Sequence, residues 1–400
     1  MKIYMFPGQG AQSKGMGGDL FDRFPERTAQ ADAILGYSIR SLCLDDPREE
    51  LGQTQFTQPA LYVVNALSYF ARREDDGGRD PDAVLGHSLG EFDALMAAGV
   101  FDFETGLRLV QKRGELMSHA KGGGMAAVLN ASREEIEQIL RENGLSNVYL
   151  ANYNSPSQIV LSGLRDEIAQ AEPLFRKGKV RFFPLATSGA FHSVYMRDAM
   201  EQFRTHLADV AFSAPRVPVI ANNTARPYRE DAVLETLANQ IANTVRWSES
   251  VQYLLAKAKL AGEEIEFVEL GPGEVLTRLV MTIRSQTPDD VLQGLMQTLA
   301  GDAGSAPAAA AEVQATPEPA AAEPAAPVAE AAPARSAATA DEKVAAWNAR
   351  HRVGARVRST REGYGELETR TEAIVLFGHR AAVYMKGYNG YFDLDELVAA

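Results

Sequence analysis

Cysteine is nearly absent: Cys43 is the single thiol in 400 residues. One thiol excludes an internal disulfide and fits a reducing cytoplasm. Long apolar runs are missing too. None approaches the roughly 18 residues of a membrane span. The N-terminal Met1-Lys2-Ile3-Tyr4-Met5-Phe6 breaks at Pro7-Gly8, too early for a signal peptide. There is no excess of positive charge; the formal net charge of −13 argues against a nucleic-acid binder. The His/Cys spacing of a metal site is lacking, so no metal is expected. Aromatic residues are absent from 303–340, where 25 of the 38 residues are Ala or Pro. Such a stretch cannot bury enough surface to fold, and its prolines favour an extended, semi-rigid linker. It separates a large unit, 1–302, from a piece of 60 residues, 341–400, with equal numbers of acidic and basic residues.

Within the large unit one stretch organises the rest. Gly86-His87-Ser88-Leu89-Gly90-Glu91 follows the apolar Ala83-Val84-Leu85 and precedes a helix-like run. Strand, tight turn and helix are the context of a G-x-S-x-G nucleophile elbow, with Ser88 at the tip and helix N–H groups behind it. A serine hydroxyl needs a base to attack. Six histidines are available. His87 adjoins Ser88 and projects elsewhere, His119 and His206 sit among polar helix residues, and His351 and His379 lie beyond the linker. His192, at a loop-to-helix junction, is the candidate by elimination. Gly8-Gln9-Gly10 after a strand at 3–6 reads as a tight loop, or as one whose Gln9 N–H faces an oxyanion.

The remaining pattern is α/β. Thr57-Gln58-Pro59 is expected to open a helix, with Thr57 as cap and Leu61, Val64 and Leu67 in the core. A helix over 103–120 buries Leu107, Val110, Gly114 and Met117. Arg113 lies on that stripe. It either binds an anion, snorkels, or pairs with Glu115 or Asp102. From 125 to 185 the segments run β-α-β-β-α-β, the ferredoxin-like order, with Ser132-x-x-Glu135 as a capping box. Strands at 218–223 and 267–270 and helices at 231–243, 247–257 and 274–283 complete a doubly wound α/β domain with an inserted small subdomain, about 123–187. Beyond the linker, four short strands and a cluster of Tyr384, Tyr388, Tyr391 and Phe392 suggest an SH3-like barrel whose rings form either its core or a docking surface.

Eight motifs in one order carry a family resemblance: FPGQGAQ (6–12), FTQPALYVVNAL (56–67), GHSLGE (86–91), QKRGELM (111–117), NYNSPSQIVLSG (152–163), GAFHS (189–193), NNTARPY (222–228) and VELGPGEVLTRL (268–279). Over residues 1 to about 290 the chain resembles malonyl-CoA:acyl carrier protein transacylases, above all the discrete trans-acting acyltransferases of polyketide synthases. The resemblance implies an α/β-hydrolase-like large subdomain and a ferredoxin-like small one. It implies that Ser88 carries the acyl ester and that His192 is the base. Gln9 and Leu89 N–H groups would form the oxyanion hole, and Arg113 would clamp the malonyl carboxylate. His87 and Phe191 would line the substrate site, Phe191 favouring malonyl over methylmalonyl on steric grounds. A backbone carbonyl at Asn243 would orient His192 in place of an acidic residue.

The implied reaction is ping-pong transfer from malonyl-CoA to the phosphopantetheine thiol of an acyl carrier protein. No bound cofactor, nucleic acid or membrane is involved, the setting is cytoplasmic, and polyketide synthase modules are further partners. The basic strip Arg176-Lys177-x-Lys179-x-Arg181 is either a carrier-protein contact or a solvated turn. Rival readings are an acyl hydrolase of the same fold, whose members typically lack the arginine, a lipase-like hydrolase, a patatin-like dyad, or a scaffold with an idle serine. A lipase would place an acid and then a late histidine after its serine, whereas here His192 comes mid-chain and no acid is marked out; Asp76-Gly77-Gly78 precedes the serine instead of following it as in a patatin.

Overall fold

The apolar runs at the start of the chain and before Ser88 become neighbouring strands of one parallel sheet. In the computed structural model Lys2–Phe6 pairs with Ala83–Gly86 on one side and Glu266–Glu269 on the other, and Val219–Ile220 lies beyond Ala83–Gly86. The structure describes residues 1–302 and 340–399, except 177, 188, 361–365, 377–379, 387–390 and 395–396. In the central pair Phe6 sits opposite Gly86. The loops that carry Gln9 and Ser88 therefore leave the sheet side by side at the carboxyl ends of the strands, where open α/β sheets place their ligands. A His87 N–H bond to the Phe6 carbonyl, 2.9 Å, extends the pairing into the turn.

The chain divides into two compact units, Met1–Met296 and Gln297–Ala400. In the first, the Thr54–Asp75 and Phe103–Ser118 helices approach closely because glycines sit between them. A Cβ on Gly106 would meet the Tyr62 hydroxyl at 2.1 Å, and one on Gly114 would lie 3.3 Å from the Gln55 Cα. That proximity brings Gln58 to Arg113. Thr57 is not the helix cap, contrary to the sequence expectation. The helix starts at Thr54, Thr57 is buried, and its hydroxyl donates to the Leu51 and Gln53 carbonyls. Pro59 sits inside the helix, where packing against the core outweighs the lost N–H bond. Leu61, Val64 and Leu67 are core residues, as their spacing predicts.

The β-α-β-β-α-β order is also observed. Gly123–Leu129, Tyr149–Ser155, Gln158–Leu164 and Arg181–Leu185 form an antiparallel sheet in which Gly123–Leu129 pairs with the last two strands. Its helices Arg133–Glu142 and Arg165–Phe175 bury Ile136, Leu140, Ile168 and Phe175 against it. Both halves of the Ser132/Glu135 capping box are made. Two helices have no clear sequence signal: Pro25–Leu35 buries only Ala31 and Leu35, and Asp289–Asp302 carries only two acidic residues in its first turn.

The second unit contains a helix, Ala340–Arg350, that the sequence pattern does not announce. Two three-stranded antiparallel sheets follow, centred on Arg356–Ser359 and Arg380–Tyr384, with an isolated bridge between Thr369 and Met385. Val357, Leu367, Val383, Met385 and Phe392 form its core, with Val344 and Trp347 against them. Phe392 is thus a core ring. Tyr388, the side chains of Tyr384 and Tyr391, and the linker at 303–339 lie outside the described residues.

Candidate active site

Two glycines make the elbow. A Cβ on Gly86 would meet the Gly90 carbonyl at 1.9 Å, and one on Gly90 would meet the Phe6 carbonyl oxygen at 2.0 Å. Between them Ser88 adopts φ +50°. A non-glycine residue there is strained by about 1–3 kcal/mol and persists only when its surroundings over-determine it. Two amides do so. Asn222 Oδ1 accepts from the Ser88 N–H at 2.7 Å, while its Nδ2 donates to the Gly86 carbonyl at 2.6 Å. Gln240 Nε2 donates to the Ser88 carbonyl at 2.6 Å.

His192 reaches the serine from across the site. Its Nε2 lies 2.7 Å from Ser88 Oγ. Its Nδ1 faces two carbonyls, Gln240 at 3.0 Å and Asn243 at 3.2 Å. Carbonyls only accept, so Nδ1 carries the proton and Nε2 is free to take one from the serine. Burial, and then the charge of Arg113, push the imidazole down to about 3. It is a neutral base at physiological pH. The Asn243 carbonyl is where the resemblance places an orienting group, and the nearer Gln240 carbonyl joins it.

Arg113 is 1% exposed. Neither sequence-level ion pair forms: Glu115 takes Lys112, and Asp102 caps its helix through the Thr105 N–H. Instead Arg113 Nη1 donates to Gln58 Oε1 and Nη2 to Gln240 Oε1, each at 2.8 Å, and Nη2 also reaches Ser88 Oγ at 3.1 Å. The guanidinium lies 5.5 Å from the centre of the Phe92 ring. Burial lowers its pKa to about 10, with Glu91 pulling the other way, so it remains a cation. Two neutral amides aim it without neutralising it. A buried cation beside a serine hydroxyl suits an anionic group on a ligand.

Gln9, His87, Ser88, Leu89, Arg113, Phe191 and His192 all line one cavity of about 250 Å³. Among the described residues the Gln9 and Leu89 backbone N–H groups make no hydrogen bond, which leaves them free for an oxyanion. His87 Nε2 bonds Asn154 Oδ1 at 2.8 Å, its ring lies against Trp247, and burial lowers its pKa. Asn243 stands behind His192, outside the cavity wall. Sequence reasoning missed Gln58, Glu91, Asn222 and Gln240 as functional groups. The first three lie within the quoted motifs, but nothing in those motifs assigns them a partner. A larger cleft of about 640 Å³ near Arg23, Arg27 and Phe70 is lined by no serine, cysteine or histidine. In the basic strip Arg176, Lys179 and Arg181 are exposed, Arg176 pairs with Glu172, and Lys177 lies outside the described residues.

The acyl transferase domain family matches residues 3–317. The chain is 50% identical over 289 residues to the polyketide biosynthesis malonyl CoA-acyl carrier protein transacylase BaeC of Bacillus velezensis, covering 72% of this chain and 98% of that protein. A crystal structure of a malonyl CoA-acyl carrier protein transacylase from Burkholderia pseudomallei is 62% identical, with TM-score 0.71, covering 72% of this chain and 99% of that one. A malonyl-transacylase in complex with a type II polyketide synthase acyl-carrier protein is 32% identical, with TM-score 0.66, covering 74% of this chain and 99% of that one. A serine elbow, an internally oriented histidine and a buried arginine in one cavity, together with this likeness along three quarters of its length, place the chain in the acyl transferase family, among its malonyl CoA-acyl carrier protein transacylases.

Proposed function

We propose that the chain moves a malonyl group from malonyl-CoA through an ester on Ser88 to the phosphopantetheine thiol of an acyl carrier protein, serving polyketide synthesis in trans. The observation that carries this reading is Arg113 Nη2 3.1 Å from Ser88 Oγ inside the cavity. A malonyl carboxylate on the guanidinium leaves its thioester carbonyl within reach of the serine. His192 Nε2 takes the Ser88 proton as Oγ bonds the carbonyl carbon. The developing oxyanion meets the Gln9 and Leu89 N–H groups, a contribution of about 3–4 kcal/mol per donor. The C–S bond breaks, and His192 returns the proton to the CoA sulfur. In the second half His192 takes the carrier thiol proton, sulfur attacks the ester, and Oγ leaves with that proton. No bound cofactor takes part.

The order of the small sheet supports a ferredoxin-like subdomain at about 123–187 beside an α/β-hydrolase-like large one. We assign 303–340 as a linker and 341–400 as a small SH3-like β domain serving as a docking module, within a cytoplasmic enzyme. Intact-mass spectrometry after incubation with malonyl-CoA tests the transfer. A malonyl adduct that persists in wild type, is absent from Ser88→Ala and passes to an added carrier protein is the expected result. CoA release with no adduct at any time would instead assign an acyl hydrolase of the same fold.

A further inference from the structure

Glu91 is fully buried at the start of the helix that follows the nucleophile, and none of the steps above uses it. Every hydrogen bond its carboxylate makes is one it accepts. The Asn222 N–H lies 3.3 Å from both carboxylate oxygens, the Tyr228 hydroxyl donates to Oε1, and Gln240 Nε2 donates to Oε2 at 2.8 Å. Only an ionised carboxylate satisfies donors alone. Two of these three partners are the amide residues that hold the strained serine. Asn222 takes the Ser88 N–H, and Gln240 gives to the Ser88 carbonyl. Gln240 also presents its backbone carbonyl to His192 and its Oε1 to Arg113. One carboxylate thus stands behind nucleophile, base and anion clamp without touching the cavity.

We propose that Glu91 is a positioning residue for acyl transfer, its carboxylate orienting Asn222 and Gln240 and, through them, the backbone of Ser88, the ring of His192 and the head of Arg113. The inference rests on the proposed Ser88 chemistry. The amide of a glutamine at 91 would turn its N–H₂ toward neighbours that also donate, so an isosteric change breaks the arrangement. Protonating the carboxylate does the same. The titratable or charged groups facing Glu91 are Tyr228, from the loop after Val219–Ile220, and Arg113, from the Phe103–Ser118 helix. Asp93, on the same helix, bonds Asn65 instead. Burial lifts Glu91 to about 7 against the pull of its donors and of Arg113, well above His192.

The test is single-turnover acylation of the full chain by malonyl-CoA across pH 5–9, with thermal melting as a check on folding. Wild type should lose rate as pH falls through about 7. Glu91→Gln should slow acylation about tenfold to a hundredfold at neutral pH, the scale of a small misplacement of reacting groups. Its half-saturating malonyl-CoA concentration should stay within about twofold, and the acid limb should vanish. Tyr228→Phe removes one donor, so the limb should move to higher pH; this variant decides the matter if Glu91→Gln does not fold. A folded Glu91→Gln with the wild-type rate, or with the acid limb retained, overturns the inference while the Ser88 chemistry stands. So does a Tyr228→Phe limb that stays in place. A wild-type chain that takes up no malonyl group overturns both.

Discussion

Arg113 shows most directly how a side chain's meaning depends on its surroundings. On its helix it could have been a packed stem, half of an ion pair or an anion clamp. Its place between the Gln58 and Gln240 amides, beside Ser88 Oγ, favours the clamp. Arg113→Ala should therefore slow malonyl loading by two to three orders of magnitude, since losing one partner of a buried, hydrogen-bonded charge pair costs about 2–5 kcal/mol. Acetyl-CoA, which has no carboxylate to lose, should be affected far less; equal losses for both thioesters would remove the clamp role. His192 supports a prediction about stability. Between its folded value of about 3 and its ordinary 6.5, only the unfolded chain binds the proton. The contribution of neutral, buried His192 is therefore complete above about pH 6.5 and drains away as pH falls toward 3. In urea titrations at pH 4 and pH 7, His192→Asn should narrow the difference between the two midpoints. An unchanged difference would show that His192 has an ordinary pKa in the folded chain.

Elements differ in how much of them local sequence decides. The Arg133–Glu142 helix is set by its own residues, because a Ser-x-x-Glu box satisfies N–H groups at its start whatever lies nearby. Ser132→Ala should cost about 1 kcal/mol of stability and leave Ser88 loading unchanged, since its helix packs through Ile136 and Leu140 into the separate core of the small sheet. The Thr54–Asp75 helix is the opposite case. Pro59 and Thr57 suggest a start near 57, yet the helix runs from Thr54 because its residues through Leu67 pack almost wholly into the core. The elbow lies between these cases. Its glycines are readable as a motif, but the reason for them is a contact across the sheet, a 2.0 Å approach of any Gly90 Cβ to the Phe6 carbonyl oxygen. Such a contact has no local trace.

At the scale of the whole molecule, every group placed in the site belongs to the unit Met1–Met296, which has a large core of its own and a smaller one under the inserted sheet. A chain ending at residue 302 should accordingly load malonyl on Ser88 at close to the full-length rate, read by the same intact-mass assay. Docking through 341–400 predicts that this truncation weakens capture of carrier proteins or synthase modules while loading persists. Loss of loading itself would mean that the large unit does not complete its site alone.

The sequence by itself determined the α/β pattern, the serine at its elbow, the histidine by elimination and the transacylase resemblance, because all of these rest on residue identity and short-range spacing. Only the tertiary structure decided the buried amides. Gln58, Asn222 and Gln240 lie 30, 134 and 152 residues from Ser88, and an amide has no charge or periodicity to mark it in a chain. Its role appears only when a strained backbone, a guanidinium or a carboxylate meets it in the buried interior.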